Sequence, residues 1–107
     1  MIRPQPTATP GAPVRLTIDT PMTLRTASEL LLAGQPFFAD GHDKIIDLAA
    51  VGQVDSSGLA VLLEWQRLCN AAGGKLSLSH VPENLRVLSD LYDLDVFQEV
   101  SAAVVDS

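Results

Sequence analysis

The chain has 107 residues, 47% of them hydrophobic, which suits one globular domain with a modest core and excludes a disordered composition. A formal net charge of −6, with seven scattered basic residues, excludes the phosphate-neutralising surface of a general nucleic-acid binder. Cys69 is the only cysteine, so an internal disulfide is ruled out, and no apolar run approaches the roughly 20 residues of a membrane-spanning helix.

Residues 1–13 hold four prolines and a glycine and read as a disordered or extended tail outside the fold. Val14 to Ile18 alternates apolar and polar residues, the pattern of a half-buried strand. Residues 22–32 repeat Met22, Leu24, Ala27, Leu30 and Leu31 near helical spacing. Thr20 or Thr23 is placed to cap that helix, and Gly34 and Pro36 to end it. Phe37-Phe38-Ala39 is a short aromatic piece before the turn at residues 40–43. Residues 44–48 form a strand whose isoleucines and leucine suggest burial on both faces.

Residues 57–72 give the strongest helical pattern, with Val61, Leu62, Trp65, Leu68, Cys69 and Ala72 on one face and Gly73-Gly74 as the stop. Residues 75–79 alternate again as a strand. Pro82 sits in a first helical turn, followed by the stripe Leu85, Leu88, Leu91 and Tyr92. Val96-Phe97 begins a short final strand or loop. Strands alternating with helices predict an α/β fold, a mixed, mostly parallel sheet of about four strands with helices packed against it.

The densest signal is the turn Asp55-Ser56-Ser57-Gly58, which delivers a carboxylate and two hydroxyls to the start of the longest helix. Capping alone would account for one of them, at about 1 kcal/mol. Three cap-competent residues are more than a cap needs. Gly58 costs up to about 1 kcal/mol in a helix, and it has a use if something must approach the backbone closely. Leu59 and Leu63 lie off the Val61–Trp65–Cys69 stripe; either they leave apolar surface beside the hydroxyls or a wide stripe buries them. A phosphate on Ser56 or Ser57 would be tolerated at a helix N-terminus and opposed by Asp55 and Asp47, repelling a partner packed on the turn while sparing the fold.

The stretch D-L-x-x-V-x-x-V-D-S-S-G-L-x-x-L-L, from Asp47 to Leu63, resembles the STAS domain family, which includes anti-sigma-factor antagonists and the small cytoplasmic subunit of Mla phospholipid-transport ABC complexes. The resemblance covers about residues 14–100, leaving 101–107 as a tail. It implies a protein-binding domain without catalytic activity. The segments Leu62-Leu63-Glu64-Trp65-Gln66-Arg67-Leu68 and Leu88-Ser89-Asp90-Leu91-Tyr92-Asp93-Leu94 look most like the Mla branch. That branch implies an accessory subunit seated on the transporter's P-loop ATPase and peripheral to the inner membrane through it. The implied contact is made by Asp55, Ser56, Ser57 and Gly58, with Leu59 and Leu63 as apolar support. The antagonist branch implies a serine-kinase anti-sigma factor as partner and Ser57 as phosphate acceptor; the Mla branch makes Ser56 the hydroxyl that matters. Both hydroxyls are present, so the motif does not separate the branches.

Other chemistries lack their parts. Gly52 and Gly58 do not frame a nucleophilic serine, and His42 and His80, in a polar turn and at a strand end, read as surface or structural. One cysteine and two distant histidines form no metal-ligand pattern, no phosphate-binding P-loop occurs, and no cofactor is expected. A phospho-accepting receiver at Asp47 would want a second acid after the first strand, where only Asp19 stands. Together with the lone thiol and the lack of secretion-signal regions, these features give the expectation of a non-enzymatic cytoplasmic protein.

Overall fold

The computed structural model describes residues 1–5, 12–91 and 98–100. In chain order the elements are β1 (Ile2–Pro4), β2 (Val14–Ile18), α1 (Ala27–Phe38), β3 (Lys44–Asp47), α2 (Ser56–Ala71), β4 (Leu76–Ser79), α3 (Glu83–Leu91) and β5 (Gln98–Val100). The sheet runs β1-β2-β3-β4-β5, with β1 antiparallel to β2 and every other pair parallel. The alternation that predicts β2 also sets its faces. Leu16, Ile46 and Leu78 stand side by side across three parallel strands, and Thr17, Asp47 and Ser79 form the next row on the opposite face.

The three helices pack together on one face of the sheet. Leu30 and Phe38 from α1, Val61, Leu62, Trp65 and Cys69 from α2, and Leu85 from α3 join Leu16, Ile46 and Leu78 in a single core. The opposite face carries Arg15, Thr17, Ser77 and Ser79, with Ile45 buried there apart from that core. Burial on both faces of β3 is therefore as predicted. Because each helix follows a parallel strand, α1, α2 and α3 all start at the same edge of the sheet. The loops β2–α1, β3–α2 and β4–α3 meet there, and this is where the site lies.

The structure differs from the sequence expectations at three places. Residues 2–4, read as part of a tail outside the fold, are the fifth strand. Ile2, Arg3 and Pro4 pair with Ile18, Thr17 and Leu16, and the N-terminal ammonium and Arg3 both reach Asp19 at 3.0 Å. The first helix begins at Ala27 instead of Met22, because Met22 is held in a parallel bridge to Val54. Its N-cap position falls to Thr26, not Thr20 or Thr23. That helix also runs through Gly34 and Pro36 to Phe38. Any side chain at Gly34 would collide with the Trp65 indole, which stacks on Phe38 at 5.0 Å between ring centroids. Pro36 forfeits only the bond to Leu32, on the exposed side of the helix. Tyr92 and the expected start of a final element at Val96-Phe97 lie outside the described residues.

One charged side chain enters the core face. Lys44 stands in register between Val14 and Leu76 and is buried, its ammonium donating to Asp40 Oδ1 at 2.6 Å. That hydrogen bond, with a second from the His42 amide, holds the Asp40 carboxyl down to about 2.

Candidate functional site

Asp55 is the cap of α2 and the tie of the whole edge. Its Oδ1 accepts from the amides of Ser57 at 2.8 Å and Gly58 at 3.1 Å, satisfying two of the helix's free donors. Its Oδ2 accepts from the Leu24 amide at 3.2 Å, and its own amide donates to the Met22 carbonyl at 3.1 Å. The Met22 amide donates in turn to the Gln53 carbonyl at 2.8 Å. The first turn of α3 is bound in as well, through Asn84 Nδ2 donating to the Val54 carbonyl. The β2–α1 loop and the first turn of α3, distant in sequence, are thus fastened around one short segment.

Gly58 is explained by this clasp. A Cβ there would run into the Met22 carbonyl, and would stand 2.8 Å from Met22 Cβ and 2.9 Å from Val54 Cγ1. The close approach expected at Gly58 is real, and what approaches is the protein's own β2–α1 loop. Leu59 requires a correction too. It is 3% exposed and belongs to the core, whereas Leu63 is half-buried against that core and keeps part of its surface exposed. The helix buries a wide stripe because α1 and α3 both pack on it.

Asp55 supplies the side-chain cap by itself, so the two serines are left over from capping. Ser56 is exposed and Ser57 half-buried, and among the described residues neither hydroxyl is engaged in a hydrogen bond. An apolar residue at the surface is one that sequence periodicity placed at helical spacing. Leu24 is 78% exposed in the turn whose amide Asp55 holds. Hydropathy could not expose it; only the bridge that pulls Met22 out of the helix does so.

A second polar cluster lies on the sheet face opposite the helical core. Arg15 Nη2 donates to Ser79 Oγ at 2.9 Å and meets Asp47 Oδ2 at 3.4 Å, while His80 Nδ1 stands 3.0 Å from Asp47 Oδ1. Burial pushes the Asp47 carboxyl up, but the Ala49 amide, His80 and Arg15 outweigh it and hold the group below its ordinary value. Asp47 is thus committed to its own fold, and His80, in a left-handed turn at φ 55°, is its partner. Reading Arg15, Asp47 and Ser79 as every second residue of neighbouring strands would have found this cluster in the sequence. No group of acids, histidines and cysteines able to hold a metal occurs among the described residues, and none of the described helices is long and apolar enough to cross a membrane.

A family model described as the Mlab STAS domain matches residues 7–104. The chain is a STAS domain of that family. Two solved structures share its fold. One is a Thermotoga maritima protein assigned as an anti-sigma factor antagonist, 21% identical, with TM-score 0.70 over 80% of this chain and 76% of that one. The other is the anti-sigma factor antagonist SpoIIAA in its unphosphorylated form, 12% identical, with TM-score 0.68 over 95% of this chain and 89% of that one. No protein of curated function matches the sequence. In this STAS domain the family motif is the clasp itself: its Asp ties the loops, its Gly admits one of them, and its first Ser is presented outward.

Proposed function

We propose that this STAS domain is a non-catalytic accessory subunit. It binds the ATPase of an Mla-type phospholipid-transport ABC transporter at the cytoplasmic face of the inner membrane and supports that complex's assembly and activity. The observation that carries the reading is Ser56, an exposed hydroxyl unengaged among the described residues at the first position of α2, on a segment fixed by hydrogen bonds from the β2–α1 loop and the first turn of α3. A rigid, outward hydroxyl with no acid–base partner suits recognition better than chemistry, because recognition gains from preorganisation alone. The family match favours the transporter over other partners of STAS domains. Asp55, Ser57 and Gly58 serve as the frame of the contact, and Ser56 as its centre.

The second reading is an anti-sigma-factor antagonist released from a serine-kinase anti-sigma factor by phosphorylation, favoured by the fold shared with two such proteins. In this reading Ser57, half-buried beside the exposed Ser56, is the phosphate acceptor. Co-purification from the native host separates the readings, with a P-loop ATPase retained in one case and a serine kinase in the other. Under the first, Ser56→Asp loses the ATPase and Ser57→Ala keeps it. If the ATPase is retained equally by wild type and Ser56→Asp, the site is wrong.

A further inference from the structure

We infer that Pro4 closes the free edge of the sheet and so keeps β1 from pairing with the same strand of a second copy of this chain. β1 ends the strand order, and among the described residues no strand lies on its far side. The hydrogen bonds to β2 show which backbone groups face that side. The Asp19 amide donates to the Met1 carbonyl at 3.2 Å, and the Gln5 amide donates to the Arg15 carbonyl at 2.8 Å. With Ile2 opposite Ile18, Arg3 opposite Thr17 and Pro4 opposite Leu16, these bonds turn the backbone polar groups of Arg3 towards β2 and those of Ile2 and Pro4 outward. Pro4 thus stands where an N–H would be offered to an incoming strand, and it has none to offer. At position 3 a proline would forfeit a bond to β2; at position 4 it costs the existing sheet nothing.

The consequence for self-pairing follows from the same geometry. Two copies of β1 laid antiparallel about Arg3 would set Ile2 of each opposite Pro4 of the other. Such a pair would ordinarily exchange two hydrogen bonds. Proline deletes one of the two in each pair, puts its ring where the N–H should be, and leaves the facing Ile2 carbonyl without a donor. Arg3 at the centre is already paired with Asp19 Oδ2 at 3.0 Å, so its charge adds little and the block rests on the proline. A three-residue strand with an outward proline is one of the ways a sheet edge is kept from templating a further strand. The inference gives a task to one residue of the proline-rich stretch, and it holds independently of what docks at Ser56.

The test is self-association of the full chain, followed by analytical ultracentrifugation over a concentration series for wild type, Pro4→Thr and Pro13→Thr. Threonine restores the outward N–H and suits a strand while adding little apolar surface. Pro4 is exposed, so Pro4→Thr is expected to keep the wild-type circular dichroism. It is expected to self-associate at least about tenfold more tightly than wild type, with hydrogen exchange at the Ile2 amide slowing as concentration rises. Pro13 is exposed and outside the strands, and Pro13→Thr is expected to behave as wild type. If Pro4→Thr associates no more tightly than wild type, associates without protecting the Ile2 amide, or is matched by Pro13→Thr, the inference is overturned. Wild type supplies a check that needs no variant: its Ile2 amide should exchange at the rate of an unprotected group, and slow exchange there would show that the edge is already paired.

Discussion

At Gly58 a single missing Cβ decides whether two loops can meet. The Met22 carbonyl occupies the space a side chain would need, and Met22 is itself hydrogen-bonded to Gln53 and Asp55, so it has nowhere to shift. Gly58→Ala should therefore destabilise the domain by about 1–3 kcal/mol, although alanine is the better helix former by up to about 1 kcal/mol. A urea titration measures this, and a variant as stable as wild type would show that the clasp is not closed in solution. The two serines behave differently from the glycine. Ser56→Ala and Ser57→Ala remove hydroxyls that make no hydrogen bond within the described residues, so stability should stay within about 0.5 kcal/mol of wild type while partner binding responds to Ser56.

At the scale of elements, the pairing of α1 with α2 depends on Gly34 facing Trp65. The indole lies against the glycine backbone and stacks on Phe38 from the same helix. Gly34→Ala must push the two helices apart or turn the indole over. Trp65 is the only tryptophan and is fully buried, so its emission should shift to the red and the melting temperature should fall. Unchanged emission would mean that the helices cross elsewhere. Element boundaries were only partly legible in the sequence for the same reason. Gly34 and Pro36 carry the local chemistry of a helix end, yet packing of α1 on Trp65 makes continuation more favourable than stopping. Residues 22–26 carry helical spacing, yet the bridge between Met22 and Val54 holds them in a turn.

For the whole molecule, acid sensitivity tests the carboxylates held in ion pairs within the fold. Hydrogen bonds from Lys44 and the His42 amide hold Asp40 down to about 2, against an ordinary value of 3.8. A depressed carboxylate stabilises the folded state above its unfolded value, and that contribution is lost as pH falls from about 4 towards 2. Asp47, also held low, acts in the same direction. Lys44 is buried while Asp40 is partly exposed, so the two halves of the pair are not equivalent. Asp40→Ala leaves a buried ammonium without its partner and should cost on the order of 2 kcal/mol, whereas Lys44→Met leaves a carboxylate that water can reach and should cost less. Thermal melts at neutral pH rank the two, and the Lys44→Met melt should also lose part of its dependence on pH below about 4. The reverse ranking would place the ammonium in solvent.

The sequence by itself determined the α/β alternation, the apolar rows of β2, β3 and β4, the long helix α2 and the Asp55–Gly58 motif, because each is written in residues close together in the chain. Period-2 and period-3.6 patterns and caps are local physics, and at these elements they survive folding. Only the tertiary structure decided what the motif does with its parts. Asp55 spends its second oxygen on Leu24, Gly58 yields its space to Met22, Leu59 goes inside, and Leu24 and Ser56 are left outside. The antiparallel strand at residues 2–4 belongs to the same class, since a proline-rich stretch shows no strand pattern until Ile18, Thr17 and Leu16 offer it an edge. Each of these outcomes depends on residues some 15 to 35 positions apart coming into contact, and local periodicity holds no information about which distant backbone will arrive.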